Sequence, residues 1–437
     1  MPDFATSTDP HVQRQLDRLT ALSPGADILG LERITRLLAR VGNPHLRLPP
    51  VLHVAGTNGK GSTCAFLRAA LEAAGLRAHV YASPHLVRFN ERIRLAGTLI
   101  TDAQLAPLLE EVLDVGGDIG ASFFEVTTAA AFLAFARTPA DACILEVGLG
   151  GRLDATNVVP DPAATAIAQL GIDHQAFLGD TLAEIAAEKA GIAKPGVPLV
   201  TMAYPPDIAE VVDRYAEIVA APVLAEGQAW SFAVEGEVLR YRDAAGEVRT
   251  PLPALSGPHQ PANLALAIAV LRHQQVLAIP DDALATAART AYWPARMQRL
   301  SPGPLTSLLP DGAELWLDGG HNANAAAAVS IAAARVAAGR PIDLVLGMLA
   351  NKDAAAMIER FAPIARSLTA VPVPGHPHHP PAELAALARH AGLDSATAPD
   401  LAAALAAVPR EGAPVVLILG SLYLAGTALE ANDELPD

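Results

Sequence analysis

Cysteine is almost absent: the 437 residues include two, Cys64 and Cys143, each inside an apolar stretch. That excludes a disulfide scaffold and leaves reduced, buried thiols and a cytoplasmic address as the expectation. Charged residues are also few, 18% against 51% hydrophobic, which excludes disorder as the main state because enough apolar surface exists to offset chain entropy. Basic residues are fewer than acidic ones, 31 against 46, for a formal net charge of −15. Such a field repels polyanions at long range and makes nucleic acid a poor partner. A small anion still binds where helix N-termini and single Lys or Arg residues overrule it locally. Long hydrophobic runs are missing too. Mean hydropathy is positive, +0.29, but alanine carries it, and no run reaches the roughly 18 apolar residues that span a bilayer. The opening Met1-Pro-Asp-Phe-Ala-Thr6 has neither the basic nor the apolar region of a secretion signal. No membrane association is therefore expected.

What the sequence does contain is alternation. Strand-like apolar runs at 51–55, 77–81, 143–147, 165–170 and 198–202 alternate with Ala/Leu-rich stretches of helical period at 62–74, 127–136 and 181–190. The pattern predicts an α/β fold with a mostly parallel sheet and helices on both faces. At 232–252, short alternating segments broken by Gly236 and Gly246 predict a small antiparallel patch. A helix is expected at 261–276. The segment Tyr292-Trp-Pro-Ala-Arg296 and the run Ser301-Pro-Gly-Pro304 look like a domain junction. Domains at 1–297 and 298–437 follow, the second a Rossmann-like α/β domain with strands at 314–317, 342–347, 367–373 and 414–419.

Between the first strand and its helix stands Ala55-Gly-Thr-Asn-Gly-Lys-Gly-Ser-Thr63. Glycines 56, 59 and 61 let backbone N–H groups turn toward an anion, Lys60 can reach terminal phosphates, and the hydroxyl of Ser62 or Thr63 can face Mg²⁺. Thr57, Asn58, Gly59, Lys60, Gly61 and Ser62 are thus the expected nucleotide contacts, with ATP and Mg²⁺ as cofactors. The N-terminal domain is accordingly read as a P-loop ATPase domain. The spacing departs from G-x-x-x-x-G-K-[ST]: two residues separate Gly56 from Gly59, and Gly61 precedes the hydroxyl. An ordinary glycine-rich βα turn is the competing account, but a lysine and two hydroxyls at a helix start serve no packing purpose.

The wording HVAGTNGKGS at 53–62 resembles the loop of folylpolyglutamate and dihydrofolate synthases, members of the Mur ligase superfamily. The resemblance continues in order through DILGLERI (27–34), ASPHL (82–86), FFEVTTAAAF (123–132), ILEVGLGGRLDATN (144–157), GIDH (171–174), EKAGI (188–192), GPHQPANLALA (257–267), WPARMQ (293–298), LDGGHN (317–322), GMLANKD (347–353) and GSLYLAG (420–426). It implies an ATP-dependent, amide-forming ligase. A carboxylate would be phosphorylated to an acyl phosphate and then attacked by an amino acid's amine. Dihydropteroate or a reduced folate and L-glutamate are the implied substrates, and a monomer acting on both folate-type substrates is the leading expectation. An enzyme confined to tail extension and another Mur-type amide ligase are the enzymatic alternatives. A P-loop module that hydrolyses ATP only to change shape is the alternative from outside catalysis.

Several site residues follow. Glu146 ends an apolar strand where a carboxylate at the carboxyl edge of a parallel sheet can hold Mg²⁺, and Gly148, Gly150 and Gly151 after it suit close backbone approach to a ligand. Through the resemblance, Ser62, Ser83 and Glu146 become metal ligands and His174 the ligand of a second metal. Magnesium prefers oxygen donors, so His174 rests on the resemblance alone. Lys189, near the end of a helix opened by Thr181 and Glu184, is either a cation favourable to the helix dipole or, as the resemblance implies, a carbamylated lysine supplying an oxygen ligand. Asn263, Arg296, Asp318 and His321 are implied nucleotide contacts. Ala295 stands where the family has glycine, so a positive φ there is in question. Leu22, Ser23, Phe123, Phe124, Glu125, Leu153, Asp154 and Ala155 are implied to hold the pterin-bearing substrate, although Phe123 and Phe124 are equally good core residues. The C-terminal domain should carry the glutamate site, yet Gly375-His-Pro-His-His-Pro-Pro381 replaces the usual arginine loop, and its prolines favour a solvated loop over a metal site.

Overall fold

The computed structural model describes residues 5–22 and 29–437, with Leu22 represented by its backbone only. The chain forms two compact units: Met1–Ala254 with Gln260–Tyr292, and Leu255–His259 with Trp293–Asp437. The third and last crossing falls inside the Tyr292-Trp-Pro-Ala-Arg296 segment. The α/β class read from the sequence holds for both units.

In the first unit, strands β1 (Val51–Ala55), β2 (Ala78–Tyr81), β3 (Ile93–Leu95), β4 (Thr98–Leu99), β5 (Ala142–Glu146), β6 (Ala164–Ile167), β7 (Leu199–Thr201) and β8 (Val223–Ala225) form one sheet in the order β4-β3-β2-β5-β1-β6-β7-β8. It is parallel from β2 to β8, with β3 and β4 added antiparallel at one edge. Every residue of β1 is buried. A central parallel strand covered on both faces tolerates an unbroken apolar run, which explains why no alternation marks it. Val54 pairs with Glu146 and Ala55 with Ile167, so β1, β5 and β6 end level. The strand expected at 165–170 stops at Ile167 because the chain then turns to the phosphate loop, where the Gln169 carbonyl accepts Thr57 N–H and Asn58 N–H at 2.9 and 3.1 Å.

The helix expected from 127 begins at Phe123. Ser122 accepts the Glu125 amide while Glu125 accepts the Ser122 amide, a capping box that places Phe123 and Phe124 in the first helical turn. The expected patch at 232–252 is a three-stranded antiparallel sheet of β9 (Trp230–Glu235), β10 (Val238–Asp243) and β11 (Gly246–Pro251). Its inner face is set by alternating Leu239, Tyr241, Val248 and Thr250, all buried.

The second unit holds β12 (Gln298–Arg299), β13 (Glu314–Leu317), β14 (Ile342–Leu346), β15 (Ser367–Ala370), β16 (Asp394–Thr397) and β17 (Val415–Leu419) in the order β12-β13-β17-β14-β15-β16, parallel except for β12. Edge strand β16 has no fully buried residue, so no apolar signal announced it. The loops after β13, β17 and β14 pack backbone on backbone: Gly420 N donates to the Gly320 carbonyl at 3.1 Å, and a Cβ on Gly420 would stand 2.7 Å from the Gly347 oxygen. Open parallel sheets bind ligands at this carboxyl edge. No helix among the described residues is long and apolar enough to cross a membrane.

Candidate active site

The loop between β1 and the helix Lys60–Ala73 is held from two sides. Gly56 has φ 149° and lies against the β6 exit, where a Cβ would stand 2.9 Å from the Ala168 side chain. Gly59 has φ 84°, and a Cβ there would meet the Asn263 Oδ1 at 2.5 Å. Both positions require glycine for conformation and for space. Thr57 Oγ1 donates to the Gly171 carbonyl at 2.9 Å and accepts from Gly171 N–H at 3.1 Å. The threonine therefore joins the loop to the segment carrying His174.

Two lysines converge on the loop. Lys60 Nζ donates to the carbonyls of Gly56 at 3.0 Å and Thr57 at 3.3 Å, and Lys189 Nζ donates to the same Gly56 carbonyl at 2.9 Å. Lys189 is 4% exposed. It belongs to the helix Leu182–Ala190, but its head reaches the phosphate loop rather than solvent. Burial, reinforced by the charge of Lys60, pushes its pKa down to about 7. Asp173, Asp154 and Glu188 oppose the shift.

Oxygen donors gather at the same edge. Ser83 follows β2, Glu146 ends β5, and Ser62 lies in the first turn after β1, on three adjacent strands. Glu146 and Ser62 are buried, and the buried Thr63 hydroxyl has no hydrogen-bond partner. Hydroxyls and a carboxylate are the hard donors a divalent ion such as magnesium takes, so these residues fit one. His174 is exposed, with φ 54°, at the start of a short helix after β6.

Among the substrate residues implied by resemblance, Ser23 and the Leu22 side chain lie outside the described residues. Phe124 lies over Gly148, where a Cβ would be 2.5 Å from its ring. Phe123 is buried instead, packed edge-on against Phe89. Glu125 Oε2 accepts from Arg33 Nε at 2.9 Å, and its Oε1 is buried with no hydrogen-bond partner. Leu153 is half-buried and Ala155 buried, flanking Asp154. The Asp154 carboxylate accepts from Gly148 N, Leu149 N, Thr156 N and Thr156 Oγ1, while burial pushes its pKa up. His53 Nε2 lies 2.8 Å from Thr156 Oγ1, so a buried chain of hydrogen bonds ties β1 to this loop. Arg33, His53, Thr156 and the buried Arg92 were not singled out from the sequence. Arg92 donates to His85 Nδ1 at 2.9 Å and stands over the rings of Phe89 and Phe123. Arg33, His53 and Thr156 stand in the quoted DILGLERI, HVAGTNGKGS and ILEVGLGGRLDATN, whereas Arg92 lies outside every quoted motif.

In the second unit Ala295 does take a positive φ, 54°, and Met297 another, 43°. Gly319 N–H donates to the Ala295 carbonyl at 2.9 Å, and Asp318 accepts from Met297 N at 2.8 Å and Gly320 N at 2.7 Å. These bonds hold a turn from which Arg296 lies over Gly319, its Nη1 2.8 Å from the place of a Cβ. His321 Nδ1 is 3.0 Å from the Gly319 carbonyl. The histidine loop is pinned, not splayed: His376 stacks on Tyr423 at 3.7 Å, and His379 Nε2 meets the Lys352 carbonyl at 2.9 Å.

A phosphate loop on one α/β unit joined to a second such unit is the plan of the Mur-type, ATP-dependent, amide-forming ligases, and residues 296–422 match the family "Mur ligase, glutamate ligase domain". Over 416 residues the chain is 35% identical to the folylpolyglutamate synthase of Lacticaseibacillus casei, covering 90% of this chain and 92% of that one. FolC of Escherichia coli, solved in complex with DHPP and ADP, aligns with a TM-score of 0.88 at 30% identity over 98% of each chain. A bifunctional folylpolyglutamate synthase/dihydrofolate synthase solved with Mn, AMPPNP and L-glutamate bound gives 0.83 at 31% identity, covering 97% of this chain and 98% of that one. The chain belongs to the folylpolyglutamate synthase/dihydrofolate synthase family.

Proposed function

We propose that this enzyme joins L-glutamate to dihydropteroate and to reduced folates, the bifunctional form of the family's reaction, in the cytoplasm and as a monomer without nucleic acid or membrane. The observation that carries the reading is the convergence of Lys60 and Lys189 on the Gly56 carbonyl, at the sheet edge where the carboxylate Glu146 ends β5. It supports the reading because two cationic side chains and a buried carboxylate share one sheet edge, and phosphoryl transfer to a carboxylate needs such groups around the phosphates.

In this reading a substrate carboxylate oxygen attacks the γ-phosphorus of ATP and ADP leaves. The neutral glutamate amine then attacks the acyl carbon, phosphate leaves with one former carboxylate oxygen, and the nitrogen loses one proton and keeps the other in the amide. Thr57, Asn58, Gly59, Lys60, Gly61 and Ser62 hold the phosphates, with Lys60 neutralising charge that develops on them. Ser62, Ser83 and Glu146 would hold one Mg²⁺, and His174 with a carbamylated Lys189 a second. The ions would neutralise phosphate charge and orient the transfer. Phe124, Glu125, Leu153, Asp154 and Ala155 form the pterin side, where Phe124 offers a flat apolar face. Arg296, Asp318 and His321 are assigned to the nucleotide, Asn263 to it also, and glutamate to the 298–437 domain.

Incubation with ATP, L-glutamate and either dihydropteroate or tetrahydrofolate tests this. Amide formation and stoichiometric ADP release with both acceptors is expected, with a heavy-oxygen label passing from acceptor carboxylate to phosphate. Product from tetrahydrofolate alone would select the tail-extending enzyme, and ADP release without amide would remove the ligase reading.

A further inference from the structure

Gln260 opens the helix Gln260–His273 and is completely buried. Its side chain is a strut between two residues far apart in sequence. Nε2 donates to Ser62 Oγ at 3.2 Å, and Oε1 accepts from Asn263 Nδ2 at 3.1 Å. Asn263, 2% exposed, in turn lays its Oδ1 against Gly59. One amide thus reaches both ends of the phosphate loop, Gly59 through Asn263 and Ser62 directly.

The direction of these bonds has a chemical consequence. Because Oε1 is taken by the Asn263 N–H, the face offered to Ser62 is the N–H donor. A serine oxygen that accepts one N–H keeps one lone pair and turns its own proton elsewhere. Without that donor the hydroxyl rotates freely over its staggered positions and presents its proton to a cation part of the time. The strut also leaves the Asn263 amide with little freedom, since any rotation breaks the bond to Gln260 or moves Oδ1 off Gly59.

We propose that Gln260 is a positioning residue for metal-assisted nucleotide binding, holding the Ser62 hydroxyl with a lone pair toward the divalent ion. This rests on the reading of Ser62 as a metal ligand given above. The full chain is titrated calorimetrically with ADP, once with Mg²⁺ and once with EDTA, for wild type, Gln260→Met, Ser62→Ala and the double variant.

Gln260→Met should lose about tenfold of the ADP affinity that Mg²⁺ adds, keep its metal-free ADP affinity within about twofold, and cause no further loss in the Ser62→Ala background. Equal losses with and without Mg²⁺, or losses that add in the double variant, would overturn the proposal in favour of plain packing. If Ser62→Ala leaves the Mg²⁺ increment intact, the metal reading of Ser62 fails and Gln260 falls with it. If Ser62→Ala removes the increment and Gln260→Met does not, only the Gln260 proposal fails. Gln260→Leu carries the same comparison if the methionine variant does not fold. Failure of both to fold, with ADP and Mg²⁺ unable to restore them, would assign the residue to packing alone.

Discussion

Lys60 and Lys189 donate to one carbonyl oxygen, that of Gly56, at 3.0 and 2.9 Å. Burial falls on Lys189, and the neighbouring Lys60 ammonium on the same acceptor adds repulsion, so its pKa drops to about 7. A neutral amine is what CO₂ requires: the ammonium gives up one proton, the freed nitrogen lone pair attacks carbon, a second proton leaves, and a cation has become an anion. Removing dissolved CO₂ at pH 6.5 to 7 should therefore inactivate the enzyme, and at one fixed concentration of dissolved CO₂ reactivation should be faster at pH 8 than at pH 6.5, where less of the amine is neutral. Lys189→Ala should lose most ligation and regain part of it with acetate. A fully active alanine variant would refute the carbamate and return Lys189 to a helix-end role.

Lys60→Ala removes the cation at the loop while leaving the Gly56 carbonyl its bond to Lys189. Folding should survive, with a melting temperature near wild type, and ligation should fall by at least about a hundredfold. Near-normal amide formation by the folded variant would remove the phosphate-loop assignment.

The strand, glycine turn and helix at 51–73 were legible because they are local: a strand, three glycines, a lysine and two hydroxyls within one short segment. The capping box at Ser122 and Glu125 was just as local, yet the apolar Phe123-Phe124 pair obscured it and the helix was started too late. Edge strand β16 carries Asp394, Ser395 and Thr397, residues that advertise a loop. Gln260 was out of reach for another reason, since its partner Ser62 is 198 residues away and no pattern in either segment announces the other. Ala295 shows tertiary structure overruling propensity. Backbone bonds from Gly319 and the Asp318–Met297 contact hold an alanine at φ 54° where glycine would be free, at a cost of about 1 to 2 kcal/mol. Ala295→Gly should accordingly leave the protein as stable or up to about 1 kcal/mol more so, read from urea unfolding.

Glu146 is 5% exposed at the end of β5, beside the strand that feeds the loop. Glu146→Gln keeps shape and volume but removes the charge a divalent ion requires. Turnover should fall by at least about a hundredfold and the Mg²⁺ concentration for half-maximal activity should rise, while the melting temperature moves by a few degrees at most. Parallel loss of activity and stability would make Glu146 a structural strand-end acid.

His53 is buried in the middle of β1 with Nε2 2.8 Å from Thr156 Oγ1, and that hydroxyl donates to Asp154. The Thr156 proton is therefore committed, and His53 must donate from Nε2 as the neutral ring. Burial, with the charge of Lys194 adding to it, pushes its pKa down to about 3. An unfolded histidine titrates near 6.5, so between roughly pH 6.5 and 3 the unfolded chain binds a proton that the folded chain refuses. His53 thus costs no stability above that window and subtracts up to about 1.4 kcal/mol per pH unit as pH falls through it. His53→Gln keeps an N–H for Thr156 and does not titrate. Urea unfolding from pH 8 to 4.5 should show a shallower acid-side loss for the variant, with the two curves nearest at pH 5 or below. An unchanged slope would mean that the folded ring takes its proton near its ordinary value, and that the hydrogen-bond chain from β1 to Asp154 does not hold it neutral.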